Sequence, residues 1–243
     1  MRARRERRRI RLIGCLVAPL IFWNGVCDSL YGYAAGLSGS DYFSPQIADV
    51  IMTAAGRPHW QIMIAQTAGW LYPLYALSLY PWWVGLRQAG FWWSTAPCLL
   101  LAYALLMIGG IQHAGWAFLS VLAQAQSLVG STDPAFHAMA NRLIVEHFIM
   151  GDFTAMVAFS LGTLWLAAAL LRGDTMFPRW FILVSPLAVL IATGIVGSLL
   201  PAPIAGWLIA PFGTWFMLIP TITSCLWLWN GSAPLMTNAR KAS

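Results

Sequence analysis

MRARRERRRIRLIGCLVAPLIFWNGVCDSLYGY, Met1 to Tyr33, is the stretch that decides the fold class. Seven of the fourteen basic residues stand in its first eleven positions, and no further lysine or arginine follows until Arg57. A helix crosses a hydrocarbon core of about 30 Å with about 20 apolar residues, and the run after Arg11 is that long. Arginines flanking such a run orient it in a membrane. The net charge of +6 is therefore a membrane flank and not a nucleic-acid surface. LIGC, Leu12 to Cys15, imitates a lipoprotein processing site, but there the apolar region precedes the cysteine and here it follows. The run also lacks a small-residue cleavage site for a signal peptide, so it is expected to remain as the first span.

The rest of the chain repeats this pattern. Of 243 residues, 59% are apolar and 9% charged, with a mean hydropathy of +0.68. Soluble domains carry roughly 25% charged residues, so the chain reads as an all-α integral membrane protein. Apolar windows and turn signals predict a six-transmembrane-helix bundle, with spans at about 11–37, 61–86, 94–128, 143–172, 178–200 and 205–230. The connections GLSGSDYFSP, RQAGF, GSTDPAF, RGDTMFPR and PAP are rich in helix breakers. Residues 1–10 form a basic cytoplasmic tail on this reading, 11–230 the transmembrane domain and 231–243 a C-terminal cytoplasmic tail. Cys15, Cys27, Cys98 and Cys225 show no pairing pattern and read as small hydrophobes.

Loop charges set the expected orientation. With the N-terminus in the cytoplasm, twelve basic residues fall inside and only Arg57 and Arg142 outside, which places both termini in the cytoplasm, as in a bacterial inner membrane. In the first outer loop, SPQIADVIMTAAG has Ser44 as a cap, Pro45 at a first helical position and Gly56 as a stop, which predicts a short interfacial helix between the first two spans. Trp60, Trp116 and Trp207 fit an outer aromatic belt, and Trp82, Trp83, Trp92, Trp93, Trp180, Trp227 and Trp229 an inner one.

On this topology six of the eight acids and all four histidines fall at mid-depth or outward. Asn24, Asp28 and Tyr31 recur at i, i+4, i+7, within about 60° on one helix face. An intramembrane Asp costs about 2.5 to 3.5 kcal/mol on insertion scales, so Asp28 should face the bundle interior, either as a functional group or as a hydrogen-bonded link between helices. Gln112 and His113 follow Gly109 and Gly110, small residues that let a second helix approach. In RLIVEHFIMGDF, Arg142 to Phe153, helical geometry divides three ionisable groups: Glu146 and His147 lie about 100° apart, and Asp152 about 120° and 140° from them. His147 is then the member that joins Asp28 and His113, while Glu146 sits near the boundary. Gln66 faces the same way as Pro73, whose ring kinks the second span. The last two spans are nearly free of strong polar groups; Gly194 with Ser198 suggests packing there, and Pro211 and Pro220 suggest bends.

These placements favour an enzyme acting on a lipophilic, lipid-like or isoprenoid-like substrate, in a pocket walled by the first four spans. Asp28, His113, His147 and Glu146 would exchange protons, and Asn24, Tyr31, Gln66, Gln112 and Asp152 would bind substrate. Isomerisation, cyclisation, hydration (a lyase reaction) or hydrolysis would fit this lipid chemistry. No cofactor is implied, although Asp28, His113 and His147 are the one set that would hold a divalent metal. The alternatives are a proton-coupled transporter and an assembly or scaffold subunit. Expected partners are the bilayer and a lipophilic small molecule, not nucleic acid; nothing in the sequence sets an oligomeric state.

Overall fold

The computed structural model describes residues 2–35, 58–108, 150–201, 204–209 and 212–230, with isolated positions at Ala135, Ala138, Met139 and Arg142. Every regular element among them is helical. The first, α1, runs Arg2–Ala35. Its 34 residues span about 51 Å at 1.5 Å per residue, well beyond a hydrocarbon core. The basic segment and the apolar run after it form one continuous helix. Arginine is a good helix former, and no breaker separates these residues from the apolar run.

Helix α2, His59–Leu71, passes into a 3-10 turn, Tyr72–Ser78, and then α3, Leu79–Leu86. Pro73 opens the 3-10 turn, because its missing N–H interrupts the α-helical ladder at the expected kink. A second 3-10 turn, Arg87–Ala89, ends on Gly90, whose φ of 87° reverses the chain into α4, Phe91–Ile108. Helix α5 covers Met150–Arg172, followed by a 3-10 turn, Arg179–Val184. Helix α6, Pro186–Leu199, begins on Pro186, and its capping Ser185 hydroxyl accepts from the Ala188 N–H. The last elements are α7, Ile204–Ile209, and α8, Phe212–Trp229.

Among the described residues, three stretches are long and apolar enough to cross a membrane: Arg4–Ser29 in α1, Phe91–Ile108 and Phe153–Arg172. The chain is therefore an all-helical membrane protein with three long apolar helices. The other expected spans are not single long helices. The second is divided at Pro73, α6 has 14 residues, and the last is described as α7 and α8 on either side of residues 210–211. The interfacial helix expected from Ser44 to Gly56, and the far part of the third span, lie outside the described residues.

Contacts fix the helix directions. Trp23 bonds Thr67 and Leu20 bonds Tyr75, so α1 runs antiparallel to the segment from His59 to Leu86. Asn24 meets Thr214, Gly14 meets Cys225 and Arg11 meets Trp229, which makes α1 and α8 antiparallel as well. The most extensive packing is α4 on α5. There Gly162 allows the approach, since a Cβ on it would stand 2.7 Å from Leu101 Cγ. Phe159 of α5 then reaches Phe216 of α8, with ring centroids 4.4 Å apart.

Two sequence expectations are corrected. Trp82 is not in an aromatic belt but is fully buried, packed on Phe177 and Phe181, whereas Trp92 and Trp180 are exposed. Gly194 and Ser198 do not form a packing face: both are exposed, and nothing lies within 4 Å of a Cβ at Gly194. Helix α6 turns Val189, Thr193 and Gly197 inward instead, an i, i+4, i+8 row about 100° from the expected one.

Candidate functional site

The polar face of α1 has a partner that the sequence did not indicate. Asn24 is fully buried, and its Nδ2 donates to Asp28 Oδ2 at 3.1 Å, as an i, i+4 pair on one face can. The same amide donates to Thr214 Oγ1 at 3.1 Å, and the Thr214 hydroxyl donates to Asp28 Oδ2 at 3.2 Å. Asn24, Asp28 and Thr214 thus close a ring of hydrogen bonds between α1 and the first turn of α8. Asn24 Oδ1 is buried and has no hydrogen-bond partner among the described residues. An orphaned buried carbonyl of this kind costs about 1 to 3 kcal/mol.

Gly25 makes the ring possible. A Cβ there would stand 2.9 Å from Trp215 Cη2 and 3.2 Å from Thr214 Cγ2, so only glycine lets the start of α8 come this close. On its other side α1 faces α2. Cys27 Sγ lies 3.6 Å from the Ile64 carbonyl oxygen, and Trp23 Nε1 donates to Thr67 Oγ1 at 2.9 Å. One turn further along α1, the Tyr75 hydroxyl donates to the Leu20 carbonyl at 3.0 Å. The broken second span is therefore fastened to α1 just beside the Asp28 ring.

Sequence reasoning missed Thr214 for a physical reason. Hydroxyls in apolar helices usually satisfy themselves on the preceding turn. Thr221, Thr223 and Ser224 of α8 do so, on the carbonyls of Met217, Ile219 and Thr221. Thr214 is in the first helical turn, and its hydroxyl bonds across to α1 instead. Its position three residues after Pro211, where the sequence suggests a bend, was the available clue.

Among the described residues, one partner of Asp28 belongs to the last helix, beyond the first four spans expected to wall the pocket. The other site candidates do not enter the description. Gln112, His113, Glu146 and His147 lie outside the described residues. Tyr31, Gln66 and Asp152 lie on α1, α2 and α5, but their side chains are outside it too. Among the described residues, no group of three or more His, Cys, Asp or Glu side chains stands together as a metal site. The alternative ligand set of Asp28, His113 and His147 therefore has one described member.

Comparison with protein-family models, with curated proteins and with solved structures finds no match. The site must be read from its own chemistry. It combines a carboxyl group, two donors that converge on one of its oxygens, and an amide oxygen left to accept a hydrogen bond. Such a set can move a proton and hold a hydroxyl or ammonium group beside it.

Proposed function

We propose that the chain is a six-crossing membrane enzyme that acts on a lipophilic, lipid-like or isoprenoid-like substrate by acid/base chemistry at Asp28. One observation carries the reading: the Asn24–Asp28–Thr214 ring sits in apolar surroundings with Asn24 Oδ1 buried and unpartnered. Asp28 exchanges the proton. Asn24 Oδ1 accepts from a substrate hydroxyl, and Thr214 fixes which carboxyl oxygen faces the reaction. His113 and His147 are the candidates for the complementary proton carrier, with Glu146 nearer the boundary. Isomerisation, cyclisation, hydration or hydrolysis fits this chemistry.

The six crossings are supported by direction. An α8 antiparallel to α1 requires an even number of crossings, and the Pro-interrupted segments supply those that the three long helices do not. Orientation is supported by charge. The arginines of α1, together with Arg87, Arg172 and Arg179, gather at one end through the Glu6–Arg87 pair, the Met176–Gly85 backbone bond, the Arg11–Trp229 contact and the Trp180–Trp227 contact. That end is cytoplasmic in this reading, with both termini there.

The interhelical character of the same ring favours a second reading, in which it only clamps α1 to α8 in an assembly subunit. Asp28→Asn separates the two, since the amide keeps size and hydrogen bonding but cannot exchange a proton. Lipid extracts from cells making equal amounts of wild-type and Asp28→Asn protein are compared by mass spectrometry. The enzyme reading expects a lipophilic species to accumulate and its product to vanish in the variant. Identical extracts from the two would refute it and leave the clamp.

A further inference from the structure

The end of the bundle opposite the Asp28 ring holds a second, strongly charged feature. Glu6 is the one acid that precedes Asp28 in the sequence, and it does not neutralise the arginines around it. Its carboxylate accepts from Arg87 Nη1 at 3.2 Å and from the Tyr80 hydroxyl at 3.2 Å, on the side of α1 that faces α3. Arg4, Arg7, Arg8 and Arg11 share an arc of about 100° centred nearly opposite Glu6 on the helix. With Arg5 and Trp229 they line an open groove of about 690 Å³ between the start of α1 and the end of α8. Arg11 lies over the Trp229 ring, 4.4 Å from its centroid. Arg7 Nε is buried and has no hydrogen-bond partner among the described residues.

The groove stands at headgroup depth. Arg11 is 17 residues from Asp28, about 26 Å along α1, so the two sites lie near opposite boundaries of one hydrocarbon core. Along the row that continues from Arg5 and Arg8, Leu12 and Leu16 are 60% and 53% exposed. They offer apolar surface directly below the charge.

We propose that this groove binds the headgroup of an anionic phospholipid, with its phosphate among Arg4, Arg7, Arg8 and Arg11 and its acyl chains along Leu12 and Leu16. Guanidinium groups match phosphate oxygens in pairs, and Arg7 Nε supplies a donor that otherwise lacks an acceptor. Because several arginines converge without a carboxylate, a lipid with two phosphates binds more tightly than one with a single phosphate.

The test uses the full chain in nanodiscs of phosphatidylcholine containing a minor fraction of either cardiolipin or phosphatidylglycerol. Native mass spectrometry then counts the lipids that stay bound. Enrichment of cardiolipin over phosphatidylcholine by at least about fivefold is expected, with phosphatidylglycerol between them. Arg8→Gln with Arg11→Gln should lower the enrichment at least about threefold, while the paired Arg→Lys changes keep most of it and Arg179→Gln, on the same end, leaves it unchanged. No enrichment in wild type overturns the proposal, and so does an equal loss in Arg179→Gln, which would reveal only surface charge. Displacement of the lipid by millimolar inorganic phosphate would assign the groove to a soluble anion and overturn it too. If the glutamine variant does not fold, the wild-type enrichment and its retention in the lysine variant decide the matter.

Discussion

Thr214 Oγ1 donates to Asp28 Oδ2 at 3.2 Å, across 186 positions of sequence. This bond joins the first helix to the last and, beside the bond from Asn24, gives the Asp28 carboxyl a neighbour on a second helix. Thr214→Val keeps the volume and removes the donor. Interhelical hydrogen bonds in membranes contribute about 0.6 kcal/mol on average and up to about 1.7, so a loss of about 1 kcal/mol is expected, with Thr214→Ser losing less. Unfolding in mixed micelles measures it. In a double-mutant cycle with Asp28→Ala, which removes the acceptor, the two changes should couple, and strict additivity would mean that the bond contributes nothing.

Gly25 and Gly194 should respond in opposite ways to a larger side chain. Gly25→Val drives a side chain into Trp215 and Thr214 and should destabilise by about 1 to 3 kcal/mol. Trp215→Ala in the same chain should recover part of that loss. Gly194→Ala meets open space and should be neutral or slightly stabilising, since alanine is the better helix former. The same micelle titration distinguishes the two sites, and equal losses at both would contradict the close α1–α8 approach.

Phe159→Ala should be among the most damaging single truncations. The ring is buried between α5 and α8 against Phe216, and deleting such a side chain typically costs about 3 to 5 kcal/mol. Leu161→Ala, at an exposed position two residues on, should cost far less. Thermal stability of the purified chain in one detergent provides the comparison.

Chain direction can be read from labelling. Gln88 and Pro201 are exposed at opposite turns of the proposed topology. A membrane-impermeant thiol reagent should modify Pro201→Cys in intact cells and Gln88→Cys only after permeabilisation. The reverse pattern would place the arginine-rich end outside and invert the orientation.

Much of the fold was legible because hydrophobicity and charge are local properties. The apolar spans expected at about 11–37, 94–128 and 143–172 overlap the long apolar helical stretches Arg4–Ser29, Phe91–Ile108 and Phe153–Arg172, and the break at Pro73 follows from one missing N–H. Helix continuity was less legible. Nothing in the composition of residues 178–200 announces that Arg179–Val184 forms a 3-10 turn before the α-helix starts at Pro186. Trp82 was misplaced for a related reason: tryptophan suits both a membrane interface and a core, and only packing against Phe177 and Phe181 chooses between them.

The sequence by itself determined that the chain carries long apolar runs suited to a membrane, that seven arginines cluster before the first of them and that Asn24 and Asp28 share a helix face. The i, i+4 spacing is a property of a single helix and needs no partner. Tertiary structure alone decided which helix meets that face. Helix α8 reaches it because Gly25 removes the steric barrier to Trp215, and because the Thr214 hydroxyl bonds across to α1 instead of back onto its own helix. Glu6 was likewise visible as one acid among arginines, but only the fold turns it toward Arg87 and Tyr80 and leaves the groove beside Trp229 positively charged. Periodicity specifies a face, whereas the identity of its partner depends on packing between residues far apart in the chain.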